Sequence, residues 1–387
     1  MESNARAPDE NEKKSLAPSD SSLSRQPEKR NRDKEKTADI LDACKKKDLG
    51  RLRGLATSER GLISDPVRKW AWPLLLGEPS HDDVTVGEKG DVDTWKEMPK
   101  HRDEDQVQLD VDRSFIYYPN DQSPKDLEQR KTQLSDLITA VLRRQPYLCY
   151  FQGYHDICQV FLLVLDSDKR STAVTRLSTL RIRDFMLPTL TPALAQLQLI
   201  PSILYAVNPK LCNHLPRTHP YYAISAALTM YAHDIREYGD IARLFDVFLA
   251  REAVFSVYMY AQIVLGRSDE LFETPSDEPD ILHSILSKLP KPLDIENLIL
   301  NTVKLYEAHP PETLRPWSSI SNFSVLKTAR EPDRVVEQSL EDGEMYFNQQ
   351  VKELKRAEQR DKILRILWKY RKPAGTVGLA VAIGILS

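Results

Sequence analysis

Between Ser123-Pro124 and Pro146 the residues Leu127, Leu134, Leu137, Ile138, Val141 and Leu142 recur at helical spacing. Ser123 reads as an N-cap with proline at the first helical position, and Pro146 as a stop. The same period governs most of the chain. Tyr150 to Leu165 is more apolar and predicts a central buried helix. Further helices are expected over roughly 171–186, 192–206, 220–235, 239–249, 252–265, 279–288 and 293–308. Strand-like alternation bounded by turn residues is scarce. Stripes of this kind are buried by packing helix on helix, so the pattern predicts an all-α fold, with one multi-helix domain over 38–310.

Outside that span the composition changes. Residues 1–37 are rich in Ser, Pro, Lys, Glu and Asp and predict a disordered arm. Residues 311–343 read as a polar linker. A basic amphipathic helix is expected over 344–372, with nine Lys or Arg against four Asp or Glu. The uncharged run Pro373 to Leu386 follows directly, and 373–387 reads as a hydrophobic tail and a possible membrane anchor. Fourteen helical residues span about 21 Å against about 30 Å of hydrocarbon core. Length therefore argues against a full crossing. The aromatic and basic flank Trp368-Lys-Tyr370-Arg-Lys372 argues for attachment at a cytosolic membrane interface.

Composition narrows the chemistry. The chain has 13 glycines and no G-x-x-x-x-G-K-[ST] segment, so a nucleotide held by its own phosphate loop is not expected. A net charge of −3 gives no general attraction to nucleic acid. Cys44, Cys149, Cys158 and Cys212 form no C-x-x-C pair and read as free thiols. No metal site is expected from such spacing.

Two short segments carry the functional signal. Val107-Gln-Leu-Asp110-Val-Asp-Arg113 supplies a permanent cation, with Asp110 three residues earlier on the same helical face. Tyr150-Phe-Gln152-Gly153-Tyr154-His155-Asp156 supplies a side-chain amide. The spacings V-x-x-D-x-x-R and Y-x-Q resemble the signature motifs of the TBC domain, which accelerates GTP hydrolysis on Rab-family GTPases. Arg68-Lys-Trp-Ala-Trp72-Pro73 resembles the family's opening R-x-x-x-W element, and Arg243-Leu-Phe-Asp246-Val-Phe248 its later R-x-x-D-x-F element. The resemblance covers roughly residues 45–310.

The resemblance implies that Arg113 is an arginine finger and Gln152 a glutamine finger. Asp110, Tyr150, Gly153, Tyr154 and His155 would support them or contact the Rab, with Gly153 allowing close approach of the partner. Arg68, Trp72, Arg243 and Asp246 would be scaffold. The partner implied is a GTP-bound Rab, which would carry both GTP and magnesium, leaving this chain with no cofactor of its own. Where many TBC domains continue Q-G-M-N, this chain has Gln152-Gly-Tyr154-His155-Asp156. That form resembles the branch anchored at the endoplasmic reticulum, implying the cytosolic face of that organelle or of early secretory membranes.

Two other readings are open at this stage. A non-catalytic Rab-binding scaffold would share every motif. His155-Asp156 with His233-Asp234 also admits an HD-type metal phosphohydrolase, although the four matched motifs already account for the region.

Overall fold

Among the described residues, 20–78, 94–120 and 122–386 of a computed structural model, every regular element is a helix. The first group is α1 (Asp20–Lys46), α2 (Leu49–Thr57), α3 (Asp65–Leu75), α4 (Glu104–Val111), α5 (Pro124–Arg144), α6 (Tyr154–Val164) and α7 (Ser167–Leu180). The second is α8 (Thr191–Leu197), α9 (Leu199–Val207), α10 (Pro209–His214), α11 (Ile224–Leu228), α12 (Tyr238–Ala250) and α13 (Phe255–Leu265). Then come α14 (Ser268–Glu273), α15 (Pro279–Leu286), α16 (Ile295–Ala308), α17 (Val325–Thr328), α18 (Pro332–Glu337) and α19 (Leu340–Leu386).

The helix α5 follows its sequence signals closely. Ser123 Oγ accepts from Asp126 N, and the Asp126 carboxylate accepts from Ser123 N, closing a capping box. Its buried face is Leu134, Leu137, Ile138, Val141 and Leu142. The next helix differs from expectation. It starts at Tyr154 rather than Tyr150, because Gly153 sits at φ +100° as its N-cap and breaks the helical path. Once begun, α6 is buried on nearly every side and packs among α3, α4, α5 and α7. Trp72, Phe161 and Phe245 lock α3, α6 and α12 together, with ring centroids 5.4–5.8 Å apart.

Two boundaries need correction. Residues 20–37 belong to α1 rather than to a disordered arm, while residues 1–19 lie outside the described residues. Past the charged stretch, Ile40 and Ala43 are fully buried. The preceding turns are tied down by charge: Asp33 pairs with Arg60, and Lys36 Nζ donates to Ser58 Oγ at 2.8 Å. A helix held this way carries no apolar stripe for composition to reveal.

Residues 311–343 are likewise not a linker. Leu314, Ile320, Val325, Leu326, Ala329 and Val335 are buried. A polar hub fixes the segment. Buried Asp184 accepts from Val325 N at 3.1 Å and from Gln350 Nε2 at 2.9 Å, and Arg183 Nη2 donates to Thr328 Oγ1 at 2.7 Å. The expected basic helix is the middle of α19, whose start packs on the domain through Phe347 against Tyr147, ring centroids 4.9 Å apart. The hydrophobic tail expected at 373–387 lies outside the residues whose side chains are described. Among the described residues no helix is long and apolar enough to cross a membrane.

Candidate functional site

Asp246, fully buried on α12, is the fixed point of the scaffold. Its Oδ1 accepts from Arg68 Nε and Trp72 Nε1, both at 2.9 Å, and its Oδ2 from Arg68 Nη2 and Leu62 N, both at 3.0 Å. One helical turn away, Arg243 donates from Nη1 to Ala56 O at 2.9 Å and from Nε to Glu296 Oε1 at 2.8 Å. The four motif residues Arg68, Trp72, Arg243 and Asp246 thus tie α2, α3, α12 and α16 into one frame.

A second buried carboxylate lies beside the start of α6. Asp110, in the last turn of α4, has no exposed surface. Its Oδ1 accepts from Arg113 Nη2 at 2.5 Å and from Gln106 Nε2 at 3.1 Å. Its Oδ2 accepts from the Tyr150 hydroxyl at 2.9 Å. Burial, with the Asp110 charge beside it, pushes the Tyr150 phenol far above its usual range. Tyr150 therefore remains a donor at every physiological pH. Arg113 stands just past the end of α4 with its side chain 61% exposed. The turn after it is pinned by Gln159, whose Oε1 accepts from Phe115 N at 2.9 Å.

Gln152 is exposed, and its amide has no hydrogen-bond partner among the described residues. Gly153 beside it is required by this chain's own backbone. Its φ is +100°, and a Cβ there would lie 2.6 Å from Thr229 Cγ2. The constraint is intramolecular, where the sequence suggested room for a partner. Tyr154 is fully buried, its hydroxyl 2.6 Å from Ser178 Oγ, so it faces the core and cannot touch a second protein. His155 is buried with Nδ1 3.3 Å from the Tyr150 hydroxyl, and burial lowers its pKa.

Arg113, Gln152, Gly153 and His155 all line one cavity of about 450 Å³, together with Thr229 and His233. A larger cavity of about 870 Å³ lies between α2 and α16 and holds none of the finger-motif residues. The two His-Asp pairs cross over: His233 Nδ1 bonds Asp156 Oδ2 at 2.9 Å. Among the described residues no group of three or more His, Cys, Asp or Glu side chains could hold a metal ion. Sequence reasoning missed Gln159 and the Asp156–His233 bond. The repeated His-Asp dipeptide was the one signal for the latter.

The family model described as Rab-GTPase-TBC domain matches residues 65–272. Cattle TBC1 domain family member 20 is 33% identical over 321 residues, covering 79% of this chain and 78% of that protein. The fission-yeast GTPase-activating protein gyp10 is 32% identical over 322 residues, covering 82% and 84% respectively. Among solved structures, the Chlamydomonas flagellar RabGAP TBC domain superposes with a TM-score of 0.51 at 12% identity, over 76% of this chain and 96% of that one. With buried Asp246 and Asp110 at the centres of its two motif pairs, and relatives this extensive, the chain belongs to the Rab-GTPase-TBC domain family.

Proposed function

We propose that this protein stimulates GTP hydrolysis on a Rab-family GTPase by presenting Arg113 and Gln152 to the bound nucleotide. The observation that carries the reading is their common groove: both are exposed, both line one cavity, and Arg113 is anchored on a fully buried carboxylate. Phosphoryl transfer spreads negative charge over the γ-phosphate oxygens and needs an oriented water. A guanidinium fork serves the first need and an amide the second. GTP and magnesium arrive on the partner, and this chain supplies no cofactor. The naming of the fission-yeast relative as a GTPase-activating protein supports the same reading.

The deciding experiment is single-turnover hydrolysis by a panel of GTP-loaded Rabs. At least one should be accelerated, and it should respond still when its own catalytic glutamine is changed to alanine, because Gln152 replaces it. A Rab that binds the protein without acceleration would establish the scaffold reading instead.

The branch resemblance extends the proposal to early secretory membranes, with attachment through the run 373–387 behind its basic flank. Deleting 373–387 should move the protein to the soluble fraction with its solution activity intact. A full-length chain found only in the soluble fraction would refute attachment.

A further inference from the structure

His233 stands in the loop between α11 and α12 and lines the same cavity as Arg113. Its side chain is 61% exposed, yet its orientation is fixed. Nδ1 donates to Asp156 Oδ2 at 2.9 Å, and the Asp156 side chain is only 16% exposed. The other Asp156 oxygen lies 3.3 Å from His155 Nε2. The loop itself is under strain. Met230 and Tyr231 are consecutive non-glycine residues with φ of +49° and +67°. Such backbone persists where surrounding structure over-determines it. Here buried Tyr231 is the anchor, donating from its hydroxyl to Ser256 O at 2.9 Å and stacking on Phe248.

We propose that His233 is a third partner-facing group of this groove, oriented by Asp156, whose Nε2–H donates to an anionic oxygen on the nucleotide-bearing face of the GTPase. The inference rests on the GTPase-activating reading. An Asp–His pair of this kind fixes which nitrogen faces the bond and leaves the other for work elsewhere. The groups around His233 are Asp156 and His155 from α6 and Asp234 from its own loop, with Arg113 and Tyr118 lining the same cavity. The hydrogen bond to Asp156 raises the His233 pKa above its usual value. The outward donor is fully charged at low pH and is lost as pH rises through that raised pKa. The anionic oxygen could belong to a γ-phosphate or to a carboxylate of the GTPase.

Two substitutions separate this role from a structural one. His233→Asn keeps a donor near the Nδ1 position for Asp156 and removes the outward nitrogen. His233→Gln keeps an outward donor that does not titrate. Single-turnover hydrolysis should be followed from pH 6 to 8.5 on a Rab that the wild type accelerates, with the Rab's intrinsic rate subtracted. Binding should be measured to the same Rab carrying GDP and aluminium fluoride, or a non-hydrolysable GTP analogue. His233→Asn should lose about 10-fold in stimulation at low pH, and His233→Gln should keep most of it with a flattened alkaline limb. A loss confined to the aluminium fluoride complex and to kcat identifies a phosphate oxygen. A loss shared by both nucleotide states and seen in KM identifies a carboxylate. Wild-type rates and pH profile in folded His233→Asn would overturn the assignment, as would rescue by Asn but not by Gln. If the wild type accelerates no Rab, the activator reading falls, and the role of His233 with it.

Discussion

Asp110 and Arg113 form a pair whose members lie in opposite environments. The carboxylate is fully buried, and the guanidinium it holds, Nη2 to Oδ1 at 2.5 Å, is 61% exposed. Three donors converge on that carboxylate: Gln106 Nε2, Arg113 Nη2 and the Tyr150 hydroxyl. Asp110 therefore works as a fixed hinge for a cation that projects from the surface.

Replacing Asp110 by Asn keeps the shape and removes the charge, so Arg113 loses its anchor. Misplacement of a catalytic group by about 1 Å costs on the order of 10²-fold in rate. Asp110→Asn should lower stimulation of the responsive Rab by about that factor, and Tyr150→Phe by less. Single-turnover rates of variants verified as folded by circular dichroism check this. Full activity in Asp110→Asn would detach the pair from function.

Asp246 answers for the frame. Removing it strands the Arg68 guanidinium in the core with Trp72 Nε1 and Leu62 N unsatisfied. Breaking a buried pair by deleting one partner costs about 3–5 kcal/mol. Asp246→Ala should show a loss of that order in urea denaturation, and Asp246→Asn a smaller one.

At Gly153 the strain is local. Gly153→Ala would force an L-residue to φ +100° and push a methyl against Thr229 Cγ2. A cost of about 1–3 kcal/mol is expected, together with displacement of Gln152 and reduced stimulation. Adding Thr229→Ser removes the clashing methyl and should restore part of the stability, leaving the backbone strain. Full restoration would show that contact alone mattered.

Glu78 gives a pH dependence. Burial pushes its carboxyl up to about 7, well above its unfolded value. The folded state thus holds a proton that the unfolded chain has released between the usual carboxylate range and pH 7. Stability from this group is complete below that range and falls as pH rises through about 7. Glu78→Gln should melt higher than wild type at pH 8 and at the same temperature near pH 4.5. Equal melting at pH 8 would contradict the burial argument.

The parts legible in the sequence are those whose cause is local. Ser123, Pro124 and Pro146 bracket α5 with their own caps and stops, and Asp110 meets Arg113 because three residues on a helix share a face. The relationships that complete the site run across the fold. Tyr150 reaches Asp110 over 40 residues, and His233 reaches Asp156 over 77. Thr229 bears on Gly153 from a different loop. No spacing rule encodes these. The misjudged boundaries share another cause: α1 is secured by Asp33 and Lys36, and 311–343 by Asp184 and Arg183, so both escape a search for apolar periodicity.

The central claim is that Arg113 stabilises charge on the transferring phosphoryl group. The most direct measurement is single-turnover GTP hydrolysis by the responsive Rab, with wild-type protein and with Arg113→Lys. Lysine keeps the charge and lacks the planar fork. An arginine finger contributes about 10³–10⁵ in rate. The variant should therefore lose at least about 10³-fold of the stimulation while binding the Rab with near-normal affinity. Stimulation by Arg113→Lys at the wild-type rate would contradict the account.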